Sequence, residues 1–302
     1  MDPSCAACPT VACPDKGTVG EGNVRVHSRA EQRYRYRTCG RTFAVRTNMA
    51  LYRLHHPEVT LALVLTLLLH GGPVPAIVAA FGLDERTVQA WLHTAGAHAG
   101  LLHDRMVSGV EARPVQADEI RVRGGVVWAA VALNVGSRLW LASAMARRRE
   151  GLLVPSPLRG APGLRRTLAA RADRAVLLAV DGFASYVGAA RSLIRVPERS
   201  GRRGRLQLVW PEGFALAQVV KAELHRGEGI VRRVVGGTET TVAAALAASH
   251  GGVTITTASI ERLNATVRER LAPLVRRRRT PAHDPALVES GLHLLRLSYH
   301  WC

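Results

Sequence analysis

With 302 residues, 47% of them hydrophobic, the chain can bury a sizeable core, which excludes a wholly disordered protein. A formal net charge of +18 calls for a polyanionic partner or strong screening, and 39 of the 41 basic residues are arginine, whose planar fork suits phosphates and guanine edges. The longest apolar run, residues 59–69, has 11 residues, short of the roughly 20 a membrane helix needs, and the first residues lack the pattern of a secretory signal. We therefore expect a cytoplasmic protein whose partner is nucleic acid, with no membrane and no small-molecule substrate.

Cys5, Cys8 and Cys13 open the chain, and in a reducing compartment such crowding argues for metal over disulfides. RYRYRTCGRTF alternates as strands do, and Cys39-Gly40 followed by Phe43 is the turn of a zinc ribbon. Tyr36 stands where such a knuckle has its first Cys. The expected Zn²⁺ ligands are Cys8, Cys13 and Cys39, with the fourth from Cys5, His27 or solvent. Residues 25–53 carry eight Arg against one acid, Glu31, so residues 1–50 read as a zinc-ribbon-like DNA-binding module with Arg35, Arg37 and Arg41 on its basic face.

Residues 51–108 read as a helix-turn-helix domain. The apolar run 59–69 predicts a buried helix. A short helix then meets Gly82, and a second starts at Asp84 as N-cap. Ala79, Gly82, Leu83, Val88 and Trp91 fall where such a hairpin needs a small contact, a turn and buried residues. On this reading Glu85, Arg86, Thr87 and Gln89 head a recognition helix facing the major groove.

From Val115 the period changes to two. VQADEIRVR, VVWAAVALNV and RLWLASAMARR predict an antiparallel meander, with Asp118 and Glu119 in its first strand. Neighbours on a strand point to opposite faces, so only one of the pair can face a given site. PSPLRGAPG reads as a linker and LRRTLAARA as a helix. Residues 175–180 predict a strand buried on both faces that delivers Asp181, placed either to serve a site at the strand's carboxyl end or to cap the following helix. Further strands, a helix over TVAAALAAS and a helix over residues 259–279 complete the chain. In the last, Ile260, Leu263, Val267, Leu271 and Leu274 make an apolar stripe, with Glu261 on its first turn. From Glu261 to Arg279 there are seven Arg, including Arg262, Arg276, Arg277, Arg278 and Arg279, against two acids.

Three strands, a helix, a strand ending in Asp and a late helix bearing Glu is the order of a ribonuclease-H-like domain, here residues 109–302, so the expected class is α/β. In that order the first and fourth strands are neighbours and three carboxylates converge, a donor set suited to Mg²⁺ or Mn²⁺. The ribbon, the helix-turn-helix, ADE, VDG and above all TASIERLNATVRERLAPLVRR resemble bacterial insertion-sequence DDE transposases of the insertion-sequence-one-like group. The resemblance implies a nucleoid-associated DNA transposase that binds double-stranded DNA at its element's ends as a homo-oligomer and cuts and joins strands. It implies a catalytic triad of Asp118, Asp181 and Glu261 holding two metal ions, with Arg262 and Asn264 as DNA-contacting neighbours, and it selects Asp118 over Glu119. Tyr36 and the ending YHWC depart from the family pattern, and the competing expectation is a non-catalytic DNA-binding regulator or remnant.

Overall fold

The computed structural model describes residues 2–47, 49, 52, 54–107, 110, 114–122, 127–146, 175–199, 204–224, 227–249, 252–274 and 284–301. Residues 1–63 and 64–302 form two compact units, so the division falls inside the segment 51–108 and places the helical hairpin with everything that follows it. The linker and helix expected over residues 155–172 lie outside the described residues, as do Arg276 to Arg279.

In the smaller unit β1 (Val24–Ser28), β2 (Arg33–Tyr36) and β3 (Thr42–Ala44) form an antiparallel sheet in that order. The alternation seen in RYRY sorts the faces: Tyr34 and Tyr36 are buried while Arg35 is exposed. Helix α1 (Glu58–Leu69) is apolar all round but not buried all round, because Leu61, Val64 and Leu68 are covered whereas Val59, Leu63 and Leu67 remain exposed. Among the described residues no helix is long and apolar enough to cross a membrane.

The larger unit is mixed α/β. Helices α2 (Val74–Phe81) and α3 (Glu85–Met106) meet at Gly82, whose φ of 63° is the left-handed turn that glycine adopts without strain. Asp84 caps α3 by accepting from Arg86 N–H at 2.8 Å. Ile77, Leu83 and Val88 pack this hairpin, whereas Ala79, expected as its small contact, is exposed.

A six-stranded sheet follows. Strands β4 (Val115–Val122), β5 (Val127–Asn134) and β6 (Trp140–Ala146) form the expected meander, and β7 (Val176–Asp181) lies parallel to β4. After α4 (Ala184–Leu193) and the short pair β8 (Val196–Glu198) and β9 (Gln207–Val209), the sheet resumes with β10 (Phe214–Leu224) and β11 (Gly227–Gly236). Its order is β11-β10-β7-β4-β5-β6. Both faces are covered, which is why β7 reads as a continuous apolar run. Val176, Leu178 and Val180 pack with Tyr186 and Ala190 of α4, and Leu177 packs with Val242 and Ala245 of α5 (Glu239–Ala247).

The late helix, α6 (Ala258–Arg270), lays Ile260, Leu263 and Val267 on Ile120, Val131 and Trp140. It ends nine residues before the predicted terminus at 279, because Pro273 lacks an N–H and its ring would clash with the carbonyl four residues back. Leu271 and Leu274 of the predicted stripe still enter the core, from extended and 3₁₀ backbone. The C-terminal α7 (Pro285–Trp301) packs along α3, and at Gly96 the backbones approach so closely that a Cβ would stand 2.4 Å from Ser290 O.

Candidate functional site

Two groups of ligand atoms stand out among the described residues: the thiols of Cys8, Cys13 and Cys39, and the carboxylates of Asp118, Glu119 and Asp181. Within each group the atoms lie within 4.8 Å of one another.

The thiols come from the N-terminal loops and from the turn after β2. Cys8 and Cys13 are buried beside Val24, Tyr34 and Tyr36, and Cys8 Sγ is 3.7 Å from Cys39 Sγ. That separation matches the edge of a tetrahedron with metal–sulfur bonds of about 2.3 Å. Desolvation pushes the Cys13 thiol up to about 11, while the Arg41 backbone N–H lowers that of Cys39. Neither expected fourth ligand joins the cluster. Cys5 is exposed with its thiol 3.9 Å from Asp2 Oδ2, and His27 lies on the exposed side of β1. Tyr36, fully buried, donates its hydroxyl to Asp15 O at 3.0 Å and accepts from Asn23, so it serves as a packing and hydrogen-bonding pillar. Arg35, Arg37 and Arg41 are exposed, and Arg35 Nε is tied to Gly40 O at 3.1 Å.

The carboxylate group is assembled by strand register. Ala117 pairs with Val180, so Asp118 and Asp181 follow side by side. Gln116 then docks α6 onto β4: its Nε2 donates to Thr256 O at 2.6 Å and its Oε1 accepts from Ile260 N–H at 2.8 Å. That contact brings Asn264 Nδ2 to 2.6 Å from Asp118 Oδ2. The Asp118 Oδ1 accepts from Glu119 N–H, and the Asp181 Oδ1 accepts from Phe183 N–H at the start of α4 at 2.9 Å. Gln218, buried on β10, donates to the Asp181 and Phe183 carbonyls and accepts from Arg233 Nε at 3.0 Å.

Asp118, Asp181 and Glu261 line one cleft of about 650 Å³, together with Thr257, Asn264, Lys221 and Arg268. The three acids named from the sequence thus share a surface. Glu261 is exposed on the cleft wall, its Oε1 accepting from Thr257 Oγ1 at 3.0 Å, and the tightest trio contains Glu119 in its place. Strand alternation does send Glu119 to the other face, where it is buried and accepts from Tyr186 Oη at 2.7 Å. Its carboxylate nonetheless reaches the neighbourhood of Asp118 because β7 ends at Asp181 and no longer walls off one face from the other. Burial, and then the charges of Glu119 and Asp181, push the Asp118 carboxyl up to about 6. Tyr186 is held well above the ordinary phenol range by burial and by Glu119, so it remains a donor.

Of the other residues named for DNA contact, Arg262 is exposed on α6, and Asn264 is 1% exposed, lines the cleft and donates to Asp118. On α3, Arg86 is exposed, whereas Gln89 Nε2 donates to Glu85 Oε1 at 2.9 Å and both border an apolar cavity of about 450 Å³ lined by Leu68, Val88, Leu271 and Leu287. Thr87 is partly buried. Sequence reasoning passed over Lys221, Arg268, Tyr186 and the two glutamines. Lys221 alone carried a signal, being one of two lysines in the chain. No protein-family model matches the chain, and no curated protein matches it.

Proposed function

We propose that the chain is a DNA transposase of the insertion-sequence-one-like kind, built on a ribonuclease-H-like scaffold, that binds its element's ends and cuts and joins DNA strands. The observation that carries this reading is the cleft itself, where Asp118, Asp181 and Glu261 face a common space flanked by Lys221 and Arg268. Burial, and then the neighbouring carboxylates, make Asp118 resist ionisation, which marks a donor set short of positive charge, and hard oxygens fit Mg²⁺ or Mn²⁺. When bound, such ions supply an activated water or 3′-hydroxyl and stabilise the leaving oxygen of a phosphodiester.

The chain's own residues do the positioning. Gln116 and Asn264 hold α6 and Asp118 together, the Phe183 N–H orients Asp181, and Thr257 orients Glu261. Lys221 stands on β10 two residues beyond Val219, the partner of Asp181, and with Arg268 gives the acidic cleft the positive charge that a phosphate backbone requires. The ribbon thiols fit Zn²⁺ as a structural ion, leaving Arg35, Arg37 and Arg41 outward for phosphates and Arg86 for base edges. Assembly of copies on the two element ends completes the proposal.

The test is strand cleavage and transfer by the full chain on DNA bearing the element's own ends, in Mg²⁺ and in Mn²⁺, beside Asp118→Asn. Metal-dependent joining by the wild type and none by the variant supports the reading. A wild type that binds those ends yet cuts nothing in either metal identifies a DNA-binding regulator instead.

A further inference from the structure

Three carboxamides are buried around the cleft, Gln116, Gln218 and Asn264, each 2% exposed or less. Two are satisfied at both ends: Gln116 bridges Thr256 O and Ile260 N–H, and Gln218 bridges the Asp181 carbonyl and Arg233. Asn264 is not. Its Nδ2 donates to Asp118 Oδ2, while its Oδ1, equally buried, has no hydrogen-bond partner among the described residues. The orientation is chemically determined, since turning the amide over would set its oxygen 2.6 Å from a carboxylate oxygen. A buried acceptor left unmatched is unfavourable, and the surrounding stripe of Ile260, Leu263 and Val267 would accept an apolar residue at this position without that penalty. The unmatched oxygen belongs to a residue that lines the cleft and grips Asp118, and it is neutral. A neutral oxygen adds a donor to a crowded acidic site without adding repulsion.

We propose that Asn264 is a ligand of the divalent cation, its Oδ1 coordinating the ion that Asp118 and Asp181 hold while its Nδ2 orients Asp118 toward the same ion. The proposal rests on the metal-dependent reading of the cleft and names a third oxygen donor beside the carboxylates. It makes Asn264 part of the ion's own shell rather than a DNA contact.

The experiment titrates Mn²⁺ into the full-length chain, loaded beforehand with one equivalent of zinc and freed of excess, and follows free Mn²⁺ by electron paramagnetic resonance. Wild type, Asn264→Leu and Asn264→Asp are compared, with thermal melting run on each. The expected result is roughly a 10- to 100-fold loss of Mn²⁺ affinity in Asn264→Leu, whose melting temperature without metal is unchanged or raised, and recovery of affinity in Asn264→Asp, which restores an oxygen donor. A role confined to orienting Asp118 through Nδ2 predicts the reverse for Asp, because that variant has no donor and repels Asp118. Asn264→Leu binding within twofold of wild type overturns the proposal, as does an Asp variant no better than Leu. A wild type that fails to bind Mn²⁺ overturns the metal-dependent reading of the cleft and this inference with it.

Discussion

The thiol group of the ribbon and the carboxylate group of the cleft each gather three ligand atoms within 4.8 Å, yet they are built in opposite ways. Cys8 and Cys13 are 2% and 5% exposed, walled in by Val24, Tyr34 and Tyr36, and their soft donors come from loops with little other means of being held together. The carboxylates come from the middle of β4 and the end of β7, strands already fixed in a six-stranded sheet; they are hard donors, and Asp118 and Asp181 open onto a cleft with Lys221 and Arg268 on its walls. A closed soft site suits an ion that holds a fold together, and an open hard site suits an ion that meets a substrate. Losing the ion should therefore unfold one region and merely silence the other.

The largest expected effects test that contrast at the cleft. Asp118→Asn and Asp181→Asn should each cut strand cleavage on the order of 10³- to 10⁴-fold, measured in single turnover, with DNA binding retained. Asp118→Asn should leave the melting temperature unchanged or raised, because the wild-type carboxyl is charged at pH 7 against its environment. A large fall in melting temperature would show that the cleft is structural after all.

Next is Cys8→Ser, which should melt residues 1–63, seen as loss of ordered amide signals there, while Mn²⁺ binding at the cleft persists. Glu119→Gln should have an intermediate effect. Its carboxylate lies beside Asp118 and Asp181, but the amide can still accept from Tyr186, so metal affinity should fall roughly 10- to 100-fold without unfolding.

Smaller still is a pH effect of fixed sign. Asp118 is raised from 3.8 to about 6, so in the metal-free chain its contribution to stability is fully present below 3.8 and is lost as pH rises through 6. Added Mg²⁺ should consequently raise the melting temperature more at pH 7.5 than at pH 5, which calorimetry reads directly. The smallest expected effect is that of Arg35→Ala on the ribbon, a uniform weakening across DNA sequences with the salt slope reduced by about one, measured by fluorescence anisotropy.

The two regions also differ in how far they could be read beforehand. In the ribbon, the period-two alternation of Tyr34 and Tyr36 with Arg35 and Arg37 foretold both faces, and the Cys spacing foretold three members of the cluster. It did not foretell that Cys5 and His27 stay out, since whether a nearby residue enters a cluster depends on loop path. At the cleft, the apolar strand delivered Asp181 without settling its role, and the family resemblance, not the meander, selected Asp118 over Glu119. Asn264 was named only through the resemblance, as a DNA-contacting neighbour of Glu261. Its burial depends on how α6 is turned against β4 by Gln116, a contact spanning 144 residues.

The hairpin shows the same boundary. Gly82 and Asp84 act through local backbone chemistry and behave as local residues should. The packing face of α3 is another matter: Ala95, Gly96, Ala99, Gly100 and His103 are buried, and Gly96 meets Ser290 of α7. A fragment of residues 1–108 would strip that cover from α3, so the helical hairpin cannot be cut out at that boundary without exposing its packing face.

Periodicity, caps and breakers act within a few residues, so β4 to β7, the α2–α3 turn and the apolar stripe of α6 were legible in the chain, as was the cysteine cluster from its spacing. Which polar side chains are enclosed, and what they meet, depends on packing. Strand order sets Asp118 beside Asp181, the end of β7 lets Glu119 reach them from the opposite face, and the docking of α6 buries Asn264 against Asp118. Burial and proximity of this kind are properties of the packed chain, fixed by contacts between residues far apart in sequence, and no local pattern encodes them.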